Sequence, residues 1–195
     1  WRGQTLDMPG RQVRALLFRL VATPVPLARE HLAFLLWADE PESTARRNLT
    51  RILTHLRRAL PDPDALLTPS GRVQLAPDRA SCDVVAFTQL AGRDDALESL
   101  RRAADLYRGP FLDGFSLPGS REFEAWALEQ QRHYERRYLQ LLSTMIEGYA
   151  ERGAYDEAIT HARRYLAIDE LAEEIHRRLI SLYLSAGDRA AALRQ

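Results

Sequence analysis

Residues 45–60 read ARRNLTRILTHLRRAL, and this stretch admits few conformations. Set at 100° per residue from Arg46, Ala45, Leu49, Ile52, Leu53, Leu56, Ala59 and Leu60 fall within roughly 220–340°. Arg46, Arg47, Thr50, Arg51, Thr54, Arg57 and Arg58 fall within roughly 0–140° on the same wheel, with His55 at the edge of that arc. No acid stands between Thr44 and Leu60. The pattern predicts one helix with a leucine seam that needs a core and an opposite face of arginine and threonine. A merely solvated face usually mixes signs, because opposite charges four apart stabilise a helix and like charges repel. Arg47 and Arg51 are four apart and both positive. A polyanion lying opposite would offset that repulsion.

The neighbours of this helix fix its context. Pro9-Gly10 reads as a turn. Val13, Leu16, Leu17, Leu20 and Val21 then recur at helical spacing and predict a helix over 11–22. The segment TPVP (23–26) ends it, since proline disfavours helix before itself and lacks an N–H. A short helix is expected over 28–37, with Leu32, Leu35 and Leu36 on one face. The third helix is expected from Pro41 or Ser43 to Leu60, capped by Asp39, Glu40 or Ser43, with Pro41 suited to its first turn. Pro61 and Pro63 close it. Two short runs around Ser70-Gly71, within residues 66–75, read as a hairpin, and Pro69 must then lie at a turn or an edge. Helix, turn, helix and two-strand wing is the order of a winged helix-turn-helix, in which the third helix enters the major groove of DNA. Arg72 beside the wing tip is a candidate for a contact to the DNA backbone or minor groove, with an exposed turn arginine as the alternative, and Arg29 at the start of the second helix is a candidate for a phosphate contact. Asp39, Glu40 and Glu42 suit the helix dipole but would repel phosphate, so the middle and end of the third helix are expected to meet DNA.

From Asp83 onward helices follow one another, expected over 83–91, 94–107, 120–152, 155–168, 172–185 and from 189. The segment 108–119 interrupts them with Gly109-Pro110 and Pro118-Gly119, and its Phe111, Leu112, Phe115 and Leu117 read as a loop tucked against helices. Ile146 and Ile180, Tyr149 and Tyr183, Gly153 and Gly187, Ala158 and Ala192, and Ile159 and Leu193 all stand 34 residues apart. That is the period of tetratricopeptide helix pairs. The glycines would end one helix so that the next folds back.

Charge divides along the same line. Residues 1–80 hold 12 Arg against 8 acids, and residues 81–195 hold 15 Arg against 19 acids. A basic first module and an acidic second one predict different partners. All 27 basic residues are Arg; genome composition accounts for this as well as a need for two-pronged bonds to phosphate and guanine does, and only the location of each Arg decides between them. The single cysteine, Cys82, rules out an internal disulfide and any multi-cysteine metal site, and it reads as a packed residue in the inter-module segment of a protein from a reducing compartment. His31, His55, His133, His161 and His176 form no pair three or four apart on one helix, so no zinc motif is predicted. His176 reads as a helix-packing residue. Trp126, Tyr134, Tyr138 and Tyr149 read as core or seam residues of the long helix. No phosphate loop, nucleophile elbow or dinucleotide fingerprint is present. No catalytic residue, metal or cofactor is therefore expected. No apolar run reaches the ~18 residues of a membrane span, and no signal peptide opens the chain, which points to the cytoplasm. Starting at Trp1 and stopping at Gln195 inside a helical pattern, the sequence is expected to be a piece of a longer protein.

The stretch LWADEP (36–41) followed by ARRNLTRILTHLRRAL resembles the OmpR-type winged helix of the antibiotic regulatory protein (SARP) family of bacterial activators. LYRGPFLDGF (106–115), Glu124-Ala125-Trp126 and DELAEEIHRRLISLYLSAGDRAAALRQ (169–195) resemble the bacterial transcriptional activator domain that follows it. The resemblance covers nearly the whole chain. It implies a first module that binds direct repeats upstream of promoters and recruits RNA polymerase. It implies a second, all-helical tetratricopeptide-like module for oligomer contacts and regulation. Arg46, Arg47, Thr50, Arg51, Thr54, Arg57 and Arg58 match the recognition helix. Ala38, Asp39 and Glu40 match the loop that touches polymerase. The strands that ordinarily come first are missing, with residues 1–6 as their remnant, and the closing helix of the second module is cut at Gln195.

The expectation is thus a mainly α chain: a winged helix-turn-helix over 1–80 with a small β wing, then tetratricopeptide-like helices over 81–195. Its partners would be double-stranded DNA, RNA polymerase and, through the helical module, a second copy. The competing reading is a helical adaptor whose repeats bind a protein and whose basic helix is incidental.

Overall fold

A computed structural model describes residues 7–79, 82–92 and 96–195. The chain is mainly helical with one small three-stranded sheet. Its residues pack as two compact units, one of Trp1–Ala86 with Gly109–Arg132 and one of Phe87–Arg108 with His133–Gln195.

In the first unit, α1 (Arg11–Val21), α2 (Arg29–Trp37) and α3 (Glu42–Ala59) meet through their leucine faces. Leu16, Leu32, Leu49 and Leu56 are completely shielded. A solvent-free leucine of this kind stabilises the unit by about 1.5–3 kcal/mol relative to exposure. The hairpin consists of β2 (Leu66–Leu67) and β3 (Arg72–Leu75) joined through a short 3-10 turn at Pro69–Gly71. Pro69 sits in the turn, where its missing N–H costs no ladder bond. Ser70 (φ 47°) and Gly71 (φ 78°) are both left-handed there. Val73 and Leu75 alternate inward to the core.

A third strand, β1 (Leu27–Ala28), pairs antiparallel with β3, Leu27 opposite Val73 and Ala28 opposite Arg72, in the order β1-β3-β2. Two residues carry too little pattern to announce a strand, and only the facing edge of β3 makes them one. The start of α3 also differs from expectation. None of Asp39, Glu40 and Ser43 caps it. Pro41 occupies that position without a side-chain cap, and its carbonyl accepts from the amides of Thr44 and Ala45 at 2.8 and 3.0 Å. The proposed strand remnant, residues 1–6, lies outside the described residues.

Segment Gly109–Arg132 packs with the first unit, although its sequence motifs run on with the helices of residues 81–195. Aromatic packing explains this. Phe115 meets Phe18 edge-on at 4.9 Å, Phe123 is completely buried against the same core, and Arg19 lies 5.0 Å above the Trp126 ring. Ser120 Oγ donates to the Leu35 carbonyl at 2.8 Å, supplying a partner for one of the last carbonyls of α2.

The second unit is all-helical. It contains α5 (Leu97–Leu106), α7 (Tyr155–Leu166), α8 (Glu173–Ser185) and α9 (Arg189–Arg194), with most of α4 (Asp83–Ala91) and the second part of α6 (Arg121–Glu151). The expected helix over 94–107 begins at Leu97, and Asp94 lies outside the described residues. The 34-residue repeat has a backbone counterpart. Gly153 and Gly187 have φ 72° and 83°, and the amides that follow them, of Ala154 and Asp188, donate to the Tyr149 and Tyr183 carbonyls at 3.0 and 2.8 Å. Both are the long bond of a Schellman stop. Ala158 and Ala192 are buried as small residues at crossings. The last pair is not equivalent: Ile159 is 7% exposed and Leu193 89%.

Candidate nucleic-acid interface

The polar arc of α3 divides into two strips. Along one edge, toward α2 and the hairpin, every side chain is engaged. Arg46 pairs with Glu42 one turn back at 2.7 Å and with Glu30 of α2 at 3.6 Å. Arg29 donates to Thr50 Oγ1 at 2.9 Å, and that hydroxyl donates to the Arg46 carbonyl at 3.0 Å. Arg57, half-buried, donates to the Leu66 carbonyl of β2 at 3.2 Å. These bonds tie α3 to α2 and the hairpin.

The outward strip holds Thr54, Arg47, Arg58 and Arg51, all exposed. Among the described residues Arg47, Arg51 and Arg58 form no ion pair, whereas Arg46 at the edge does. The like-sign pair Arg47 and Arg51 therefore stands uncompensated. Thr54 Oγ1 donates to the Thr50 carbonyl at 3.0 Å, so its one hydroxyl hydrogen is spent within the helix. What it turns outward is an acceptor oxygen and a methyl group. An exposed face of three unpaired guanidinium groups around a methyl can hold phosphate and meet base edges.

The remaining candidates lie around this strip. Arg72 is exposed at the start of β3 and donates to the Pro26 carbonyl at 3.3 Å, which fixes it beside β1. His55 is exposed on the flank of α3 facing the start of α1. Ala38, Asp39 and Glu40 are exposed in the turn before α3, with the Glu40 amide donating to the Trp37 carbonyl at 3.2 Å. The turn lies at the N-terminal end of α3, so the two carboxylates are separated along the helix from Thr54 and Arg58.

Three participants escape a reading of α3 alone. Glu30 belongs to another helix, and only packing brings it to Arg46. Arg11 and Gln12 line a cleft with Arg51 and His55. The available signal was the opening of α1, where Gly10 is followed by a cation and the first turn has no acid.

Other titratable groups are explained by packing. His161 is buried and stacked on Tyr149 at 5.4 Å; burial, then the Arg164 charge, lowers its pKa. Burial pushes the Cys82 thiol up to about 11, the opposite of an activated nucleophile. His176 Nε2 donates to the Glu170 carbonyl at 2.8 Å, and its Nδ1 accepts from the Gln195 side-chain amide at 2.7 Å. Among the described residues no cluster of three or more His, Cys, Asp or Glu could hold a metal ion, and no helix is long and apolar enough to cross a membrane.

Residues 82–195, more than half of the chain, match the family described as Bacterial transcriptional activator domain (BTAD). No curated protein matches the chain.

Proposed function

The chain belongs to the bacterial transcriptional activator domain family, and on that premise we propose that it is a sequence-specific DNA-binding regulator, an activator of the SARP type, rather than an enzyme. Residues 7–79 would act as a winged helix-turn-helix with α3 in the major groove and the β2–β3 hairpin as its wing. Arg47, Arg51 and Arg58 would contact phosphates and guanine edges. Thr54 would offer its methyl to thymine and its oxygen to a base donor. Arg29 and Thr50, bonded to each other, and Arg57, bonded to the wing, would hold the helix at the right angle and reach phosphate from its edge. Arg46 would exchange its carboxylate partners for phosphate, since exposed ion pairs of this kind are worth at most about 1 kcal/mol. Arg72 would touch backbone beside the wing.

The supporting observation is the uncompensated outward strip of α3. A protein with no polyanionic partner gains nothing from three unpaired arginines on one helix face. The loop at Ala38, Asp39 and Glu40 would meet RNA polymerase, and the helical unit would serve self-association. Such a protein works at the nucleoid in the cytoplasm.

The test is footprinting and titration of promoter-upstream fragments. Arg47→Ala and Arg51→Ala should each weaken specific binding by about 1–3 kcal/mol, and wild-type binding should fall steeply with salt. Absence of any protected site at low salt, or equal affinity for unrelated duplexes, would leave the adaptor reading in possession.

A further inference from the structure

A recognition helix in a major groove about 12 Å wide runs between two phosphate backbones. On one flank of α3 stand Arg29 and the hairpin, already described. The other flank is closed by the cleft of Arg11, Gln12, Arg51 and His55, to which no ligand has been assigned. Its walls are the start of α1, with Arg11 and Gln12, the flank of α3, with Arg51 and His55, and the loop residues Leu117 and Pro118. All belong to the first unit. No carboxylate lines the cleft.

We propose that this cleft is a phosphate-group site, held by the guanidinium groups of Arg11 and Arg51 with the His55 imidazole and the Gln12 amide as further hydrogen-bond donors. Two arginines from different helices line one depression that holds no carboxylate. Arg11 also stands in the first turn of α1, where the helix field disfavours a cation and favours an anion. That first turn carries no acid and no side-chain cap to offset it. A cation in that turn costs stability, and a phosphate group beside it offsets the cost. Leu117 and Pro118 form an apolar wall of the cleft. Arg51 faces both this cleft and the outward strip of α3, so a duplex lying on the strip would bring its second backbone to Arg11. The DNA source of the phosphate rests on the function proposed above; the site itself takes a phosphate group from either DNA or solution.

Two measurements on the full chain separate these sources. In the first, anisotropy titrations at several salt concentrations compare wild type, Arg11→Gln and, as a control for net charge, Arg152→Gln. The duplexes are a fragment protected by the wild type and a scrambled version. Arg11→Gln should reduce the salt slope by about 1, so that a fourfold rise in salt costs it about 3.5-fold less affinity than it costs the wild type. Both duplexes should be affected equally, and Arg152→Gln should match the wild type. In the second, inorganic phosphate is added to labelled protein while the Gln12 amide and His55 ring resonances are followed by NMR. These should shift in the wild type and not in Arg11→Gln. If the wild type binds no duplex but phosphate shifts both resonances, the site stands with a free anion as its ligand and the DNA reading falls. If the wild type binds DNA, the Arg11→Gln slope is unchanged and phosphate moves neither resonance, the cleft is not a phosphate site, while the α3 reading survives. Failure of both measurements overturns both.

Discussion

Ser120 offers a sharp test of how the motif-bearing segment is joined to the helix that supports α3. Its side chain is 5% exposed, and Oγ donates to the Leu35 carbonyl at 2.8 Å. That carbonyl lies in the last turn of α2, where no amide of the helix remains to satisfy it. Ser120→Ala removes the donor and little volume. The backbone bond from the Ser120 amide to the Leu117 carbonyl, at 3.1 Å, is untouched. The lost bond and the stranded buried carbonyl together cost about 1–2 kcal/mol, after allowance for the hydroxyl no longer being desolvated. For a unit of this size that lowers the midpoint of thermal unfolding by about 5–10 °C. Tryptophan fluorescence is the suitable probe, because Trp37 and Trp126 both belong to the unit concerned. Circular dichroism, dominated by helix in both units, need not follow the same transition. Phe123→Ala is the companion variant: it empties a completely buried ring site and should cost about 3–5 kcal/mol. Should Ser120→Ala melt within a degree of the wild type while Phe123→Ala is strongly destabilised, the segment is held by its aromatic rings alone, and the stranded-carbonyl reasoning is wrong.

Two further outcomes are expected. The His161 pKa is lowered in the folded protein, so the folded state binds fewer protons than the unfolded one; stability should be complete above the ordinary histidine value of 6.5 and decline as pH falls through and below it. His161→Phe should flatten that part of the stability–pH curve in chemical denaturation, and an unchanged curve would assign the dependence to other groups. Gly187→Ala places a Cβ at φ 83° in the stop between α8 and α9; the left-handed backbone should cost about 1–2 kcal/mol in thermal unfolding, and an alanine variant as stable as the wild type would show that the turn had rearranged.

Much of the fold is written in local pattern. The leucine seam of α3 appears on a helical wheel because burial on one face imposes a 3.6-residue period. Gly153 and Gly187 mark helix stops because the left-handed position costs a residue with a Cβ about 1–2 kcal/mol. These features need no knowledge of distant residues. The candidate interface was legible as a set of arginines and threonines but not as two strips. Arg46 and Arg47 are neighbours of the same type, and nothing in the sequence says that one meets Glu30 and the other meets none.

The sequence by itself determined that residues 45–60 form a helix with a cationic face, and that the later helices repeat at 34 residues, because both follow from spacing along one chain. Tertiary structure alone decided that Leu27–Ala28 is a strand, that Ser120 spends its hydroxyl on α2, and that Arg11 stands across a cleft from Arg51 and His55. The physical reason is range: periodicity is a property of neighbours, whereas these three outcomes depend on groups 40 or more residues apart for which only the folded chain provides a partner.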